Sequence, residues 1–343
     1  MRIACFGGSF NPPHKGHLAI ALQALRQAHF DEVWFIPSRQ APLREDAPVS
    51  FEHRVAMIQA MIKPYRKLRV CSIEAQLPQP SYTITTVTTL IAEYPDCFFA
   101  WIIGSDQANQ FDQWKDAAHL RTLLPFYVVP RASTDAIPLW MKRLDVPGIE
   151  QYSSTRFRAG EVQVAPYAVI RESARFGLYF DSMVNVAVGS KRWKHIAGVV
   201  SVAVDLALHH GIDPNAASIA ALLHDLTKPW PTAQQKAWLS FCDPTYSNQP
   251  DAILHQKTAV AYARRVLGVH HQDILHAIGH HVDGSSEHPL TQILYIADKC
   301  EPSRGYDATS ILALARRDLK KASALVRQSQ LEYLNQENHG THH

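Results

Sequence analysis

The chain has 343 residues, 46% of them hydrophobic, which suits two domains with a buried core in each. A net charge of only +3 argues against a nucleic-acid binder that works by bulk charge, and no apolar run reaches the roughly 18–20 residues that a membrane span needs. Five scattered cysteines without a CxxC pair suit a reducing cytoplasm and disfavour a disulfide scaffold or a thiolate zinc site.

No signal-peptide pattern opens the chain, because glycine, asparagine and proline arrive by residue 13. Ile3-Ala4-Cys5-Phe6 predicts a first buried strand, and Leu18 to Ala28 predicts a helix. Between them lies Gly7-Gly8-Ser9-Phe10-Asn11-Pro12-Pro13-His14-Lys15-Gly16-His17. Paired glycines let a ligand approach the main chain, the N–H groups of a helix start attract phosphate, and His14 and His17 are one helical turn apart. That combination suits a triphosphate whose charge rises during reaction. Val33 to Pro37, Leu68 to Ile73, Phe98 to Ile103 and Phe126 to Val129 predict further strands. Ser50 to Ile62 and the stretch from Ser81-Tyr82-Thr83 to Tyr94 predict helices. Strands alternating with helices imply a parallel sheet covered on both faces, with ligands at the carboxyl ends of the strands.

The second half holds most of the 19 histidines, a first sign of a metal site. Lys191 to Gly211 predicts a long helix carrying His195. Asp213-Pro214 starts another, buried and alanine-rich, that ends in His224-Asp225. A carboxylate there is costly without a partner, and a metal relieves that cost. Ala252 to Gly268, Gln272 to His281 and Leu290 to Lys299 predict helices bearing His255, His280-His281 and Asp298. His209, His210, His270, His271 and His276 are read as structural, and 336–343 as a disordered tail.

The loop from Gly7 to His17 resembles the GxFxPxHxGH signature of nucleotidyltransferases with a Rossmann-like fold. More narrowly, it resembles bacterial nicotinate-nucleotide adenylyltransferases. The resemblance covers about the first half of the chain. It implies that His17, with His14 beside it, stabilises the transition state at the α-phosphate, and that Gly8, Ser9 and Phe10 line the ATP site. Gly104-Ser105-Asp106 matches the GxD near the nucleotide, so Gly104 and Asp106 join that list. Ser153-Ser154-Thr155-Arg156-Phe157-Arg158 resembles the family's SSTxIR and implies that Ser153, Ser154, Thr155 and Arg158 hold the leaving phosphates. Ser38, Tyr82, Thr83 and Trp114 fall at mononucleotide-binding positions, with Trp114 stacking on the pyridine ring. Leu43-Arg44 replaces a His-Lys pair, with Arg44 as a phosphate contact. Thr85 stands where the family has aspartate, and Gly160 shortens the helix after the serine motif.

Residues 188 to 335 resemble the HD-domain phosphohydrolases, nearest to the small bacterial proteins that cleave diadenosine tetraphosphate symmetrically. The matching stretches are Leu222 to Lys228, Ala277 to His281 and Ile296 to Arg304. The resemblance implies a metal set of His195, His224, Asp225, His255, His281 and Asp298. Asp225 would bridge two divalent transition ions, iron or manganese, and act catalytically with Lys228, while Lys228 and Arg304 would neutralise substrate phosphate.

The expectation is therefore an α/β nucleotidyltransferase domain at 1–182 and an all-α HD bundle at 188–335. The first would join ATP, arriving with Mg²⁺, to nicotinate mononucleotide, giving deamido-NAD and pyrophosphate. The second would hydrolyse diadenosine tetraphosphate to two ADP. The protein would be cytoplasmic, with no nucleic-acid or membrane partner, and the reading leaves a homo-oligomer open. Rival readings are a nicotinamide mononucleotide or phosphopantetheine acceptor, a nucleoside monophosphate or guanosine alarmone as HD substrate, and a half that binds nucleotide without catalysis.

Overall fold

The computed structural model describes residues 1–39, 49–131, 136–246 and 250–340, the side chains of 333–340 excepted. Leu43 and Arg44 lie outside the described residues, so the expected phosphate contact of Arg44 has no structural counterpart here. The chain divides into two units. One comprises Met1–Phe157 with Glu161–Ser173, and the other Arg158–Gly160 with Ala174–His343.

The first unit is built on β1 (Arg2–Gly8), β2 (Glu32–Pro37), β3 (Leu68–Val70), β4 (Phe98–Gly104), β5 (Phe126–Val129) and β6 (Lys142–Arg143). They form one sheet in the order β3-β2-β1-β4-β5-β6, and every pairing is parallel. Alternate strand residues Ile3, Cys5, Trp34, Ile36, Trp101, Ile103, Phe126 and Val128 belong to one core. Their neighbours Ala4, Val33, Phe35, Ala100 and Ile102 are fully buried as well, so both faces are covered. The helices are α1 (Lys15–Gln27), α2 (Phe51–Ile62), α3 (Thr83–Glu93), α4 (Ser105–Ala108), α5 (Ala117–Leu123), α6 (Ser154–Arg158) and α7 (Tyr167–Arg175). The strand order reverses between β1 and β4, and a doubly wound sheet opens its ligand crevice at that point. Gly8 and Gly104 end those two strands.

Two local expectations change. The third strand stops at Val70 rather than Ile73, because β3 pairs on one side only and the chain then turns to bury Ile73 and Glu74. The sixth strand is two exposed residues with no sequence pattern to announce it.

The second unit is helical: α8 (Phe180–His209), α9 (Pro214–Leu223), α10 (Thr232–Cys242), α11 (Asp251–Arg265), α12 (Gln272–Gly279), α13 (Pro289–Cys300), α14 (Thr309–Ala315) and α15 (Leu319–Gly340). Within α8, Gly189 takes φ 75° and separates two helical segments: the expected helix from Lys191 follows it, and an unexpected one precedes it, because Phe180, Met183 and Val184 form a buried stripe at helical spacing. α13 buries ten of its twelve residues, which makes it the central helix of the bundle. Among the described residues no helix is long and apolar enough to cross a membrane.

Candidate functional site

In the first unit the site grows from the end of β1. A Cβ at Gly7 would lie 2.8 Å from the Trp101 ring, so glycine is what lets β1 pass over that indole. Phe10 turns the loop with φ 47°, and its ring is 4.9 Å from the His17 ring at 69°. Arg54 is buried. It donates from Nη1 to the Ser9 carbonyl at 2.7 Å and from Nε to the Val49 carbonyl at 2.9 Å, which braces the loop from beneath. His14 caps α1, and its ring stacks on His17 at 3.6 Å. The backbone N–H of His14 donates to Nδ1 of His17 at 3.1 Å. A backbone N–H can only donate, so a neutral His17 carries its proton on Nε2. Burial, then His14 and Arg131, hold the His17 pKa well below its ordinary value. Burial, then Arg131, lowers that of His14 to about 4. Both imidazoles are therefore neutral at pH 7.

Other loops meet the same sheet edge. Ser154 donates from Oγ to the Pro12 carbonyl at 2.8 Å, which ties the serine motif to the glycine loop, and Ser153 Oγ accepts the Arg156 N–H at 3.1 Å. At the end of β4, Asp106 pairs with Arg131 at 3.3 Å, and buried Ser105 accepts the Arg131 N–H at 3.2 Å. Ser38 donates its N–H to the Gly8 carbonyl at 2.9 Å. Tyr82 caps α3, Thr83 is its first residue, and Lys115 lies 4.5 Å from the Tyr82 ring centre. Trp114 is half-buried and rests against the core, 5.5 Å from Phe111.

In the second unit the chemistry gathers around two buried carboxylates. His224 caps the end of α9, and Asp225 follows it. His195 comes from α8, His255 from α11, His281 from just beyond α12 and Asp298 from α13. His195, His224 and Asp225 offer ligand atoms that all lie within 4.8 Å of one another. So do His224, His281 and Asp298, and so do Asp225, His255 and His281. The Nδ1 atoms of His224 and His281 each face a backbone carbonyl at 2.7 Å, of Ala221 and Ile278. A carbonyl only accepts, so these rings carry the proton on Nδ1 and turn Nε2 lone pairs inward. Nε2 of His224 and His255, and Oδ1 of Asp225, are buried without a hydrogen-bond partner. An orphaned buried polar atom costs about 1–3 kcal/mol. Three such atoms on residues of those three groups are donors of the kind a divalent cation of borderline softness takes, so the residues fit a metal.

Four cations pair with the carboxylates. Arg192 and Lys228 reach Asp225 Oδ2 at 2.7 and 3.0 Å, and Lys299 and Arg304 reach Asp298 at 2.8 and 2.6 Å. Burial would raise the Asp225 pKa, but His224 and Lys228 hold it well below the carboxylate range. For Asp298, burial is likewise outweighed by His195, His224 and Lys299. Burial lowers His281 to about 3 and His255 to about 4, so both keep their lone pairs free. A cavity of about 390 Å³ opens beside these groups, lined in part by Lys228, Trp230, Gln235, His255, His281 and Lys299. That is roomy enough for part of a nucleotide.

Comparison with known proteins follows the same division. Residues 5–160 match the cytidylyltransferase-like family, and residues 192–303 match the HD domain. A Mycoplasma genitalium protein named as a probable nicotinate-nucleotide adenylyltransferase/Ap4A hydrolase is 27% identical over 94% of this chain and 95% of its own length. The M. pneumoniae protein of the same name is 25% identical over 92% and 95%. A probable nicotinate-nucleotide adenylyltransferase from Shouchella clausii is 40% identical over 39% of this chain and 71% of its own length. The chain belongs to the nicotinate-nucleotide adenylyltransferase family. Its second unit is an HD domain, and the bifunctional arrangement is that of the Mycoplasma relatives.

In the adenylyltransferase unit the structure brings together Gly8, Ser9, Phe10, His14, His17 and Ser154, with Gly104 and Asp106 at the adjoining strand end. Arg158 falls in the other unit. In the HD unit His195, His224, Asp225, His255, His281, Asp298, Lys228 and Arg304 form one cluster. Several participants carry no motif. Arg54 and Arg131 contact the glycine loop and Asp106 across the fold, and nothing in their sequence neighbourhoods marks them. Glu74 is 5% exposed and accepts from Thr86 Oγ1 at 3.0 Å and Arg39 N–H at 3.2 Å; its signal is a carboxylate just after a strand. Arg192 has a local signal, since it lies one helical turn before His195. Lys299 and Glu301 lie inside the stretch that carries Asp298.

Proposed function

We propose that the first unit joins ATP to nicotinate mononucleotide. A phosphate oxygen of the mononucleotide attacks the α-phosphorus of ATP, the α–β bridging bond breaks, and deamido-NAD and pyrophosphate leave. What carries this reading is the tautomer of His17: a neutral ring with its proton on Nε2 can donate to an α-phosphate oxygen as charge accumulates there. His14, stacked on it, keeps the ring in place. Ser153, Ser154 and Thr155, with the start of α6, are the groups assigned to the leaving pyrophosphate, and Asp106 and Gly104 to the nucleotide. Mg²⁺ arrives with ATP. Ser38, Tyr82, Thr83 and Trp114 are assigned to the mononucleotide, and the nicotinate form is favoured because the relatives with full-length similarity carry that name.

For the HD unit we propose symmetrical hydrolysis of diadenosine tetraphosphate to two ADP, as the Mycoplasma relatives' names suggest. His195, His224, Asp225, His255, His281 and Asp298 would hold two divalent ions, iron or manganese, with Asp225 shared between them. When bound, the ions supply Lewis acidity at phosphoryl oxygens and lower the pKa of water. Arg192, Lys228, Lys299 and Arg304 outnumber the two carboxylates they pair with, Asp225 and Asp298, and the positive charge left over suits a polyphosphate better than a monophosphate. The five free thiols support a reducing, cytoplasmic setting.

The test is direct. The pure protein is incubated with ATP and, separately, nicotinate or nicotinamide mononucleotide, then with diadenosine tetraphosphate and Mn²⁺, and products are separated by chromatography. Deamido-NAD and ADP are expected. NAD formed faster than deamido-NAD would reassign the acceptor, and ATP with AMP in place of two ADP would overturn symmetrical cleavage.

A further inference from the structure

The HD unit buries a third carboxylate beside the two that face the ligand cluster. Glu301 follows α13 and is 1% exposed. Its Oε1 lies 2.9 Å from Nδ1 of His195, and its Oε2 accepts the Ser303 N–H at 2.7 Å. Burying a carboxylate this deeply is costly unless it is paired, and here the pairing is to an imidazole and a serine. The other ring nitrogen of His195, Nε2, is buried and lies 3.1 Å from Asp298 Oδ1. His195 is thus held differently from His224 and His281, whose Nδ1 atoms face neutral backbone carbonyls.

A second observation shows that the helix is shaped around this contact. Gly198 is one turn beyond His195, and a Cβ there would lie 2.4 Å from Glu301 Oε2. Glycine inside a helix costs roughly 1 kcal/mol relative to alanine, so α8 carries a locally unfavourable residue at the point where Glu301 needs room.

We infer that Glu301 is a positioning residue for the metal centre: it sets the tautomer of His195 and strengthens that ring as a donor, so that one of the two ions is held more tightly than the other. A carboxylate behind a ligand imidazole raises its basicity more than a carbonyl does, and loss of such a partner typically costs about 10–100-fold in metal affinity. The inference rests on the two-metal reading above.

The test uses the full chain, stripped with chelator and titrated with Mn²⁺ by calorimetry, with metal per chain measured by elemental analysis. Wild type, E301Q, G198A and H195A are compared. In E301Q one of the two binding events should weaken about 10–100-fold while the other is unchanged. G198A, which displaces Glu301 without removing it, should repeat that pattern and carries the test if E301Q folds poorly. H195A should lose the same event altogether. The Mn²⁺-dependent rise in thermal midpoint should shrink in E301Q, with the midpoint in chelator unmoved, and adenylyl transfer should match wild type. Wild-type affinity at both sites in E301Q, equal weakening at both, or a midpoint lowered as much in chelator as in Mn²⁺ overturns the inference. If wild type itself binds no Mn²⁺, the two-metal reading fails and this inference with it, so the two failures are told apart by the wild-type titration.

Discussion

In the adenylyltransferase unit His17 sits in the first turn of α1, and its Nδ1 takes an N–H from the backbone of His14. In the HD unit His224 and His281 sit at the trailing ends of α9 and α12, and their Nδ1 atoms face carbonyls. A helix start leaves orphan N–H groups, and a helix end leaves orphan carbonyls. The same side chain therefore becomes an Nε2–H donor in one unit and an Nε2 lone-pair donor in the other. The first suits a phosphoryl oxygen gaining charge, the second a cation. Carboxylates follow the same split. Two lie among the imidazoles of the HD unit, whereas Asp106, at the end of β4 in the adenylyltransferase unit, is paired with Arg131.

The hardest break of this comparison is Asp225→Ala. It should abolish hydrolysis of diadenosine tetraphosphate, a larger loss than the about 10–100-fold of an outer-shell change, and leave adenylyl transfer intact. Chelation followed by dialysis into Mg²⁺ should do the same to wild type, and Fe²⁺ or Mn²⁺ should restore wild type but not the variant. Hydrolysis persisting in Mg²⁺ alone, or no metal found by elemental analysis before chelation, would end the two-metal reading.

His17→Ala is the mirror image. Removing one transition-state donor costs about 10²–10³ in rate, so deamido-NAD formation should fall by that factor with hydrolysis unchanged. Near-normal transfer would take His17 out of the mechanism.

The burial of neutral imidazole has its own pH signature. Because the His14 pKa drops from 6.5 to about 4 on folding, the unfolded chain binds more protons between those values. Stability from this group is complete above pH 6.5 and is lost as pH falls toward 4, ~3 kcal/mol at most. His14→Gln should flatten that part of the unfolding profile, measured by denaturant titration at pH 7 and 4.5. An unchanged slope would show that His14 titrates normally in the fold.

The smallest effect is expected at Trp114. If the indole stacks on the pyridine ring, Trp114→Ala should raise the mononucleotide KM about two- to twelvefold, from ~0.5–1.5 kcal/mol of aromatic contact, with the ATP KM unmoved. Equal changes in both would leave Trp114 as part of the Phe111 and Phe126 packing.

Much of this contrast is legible in the amino-acid order. The strand, glycine loop and helix around His14 and His17, and the order His195, His224-Asp225, His255, His281, Asp298, are local patterns whose spacing already implies helices and strands. Boundaries are less legible. β3 is cut short because an edge strand has one partner, and a further helical segment stands before Gly189 because Phe180, Met183 and Val184 form a buried stripe.

What the sequence by itself determined is the identity and order of the chemical groups, since periodicity and caps act over a few residues. What only the tertiary structure decided is which groups meet. Arg54 reaches Ser9 across 45 residues, Glu301 reaches His195 across 106, and Ser154 reaches Pro12 across 142. The sheet order alone sets Gly8 and Gly104 at adjacent strand ends. Such contacts are chosen by burial, because a charge removed from water must find its partner wherever the fold brings one. The protonated nitrogen of each histidine was decided the same way, by whether its ring came to rest against an N–H or a carbonyl.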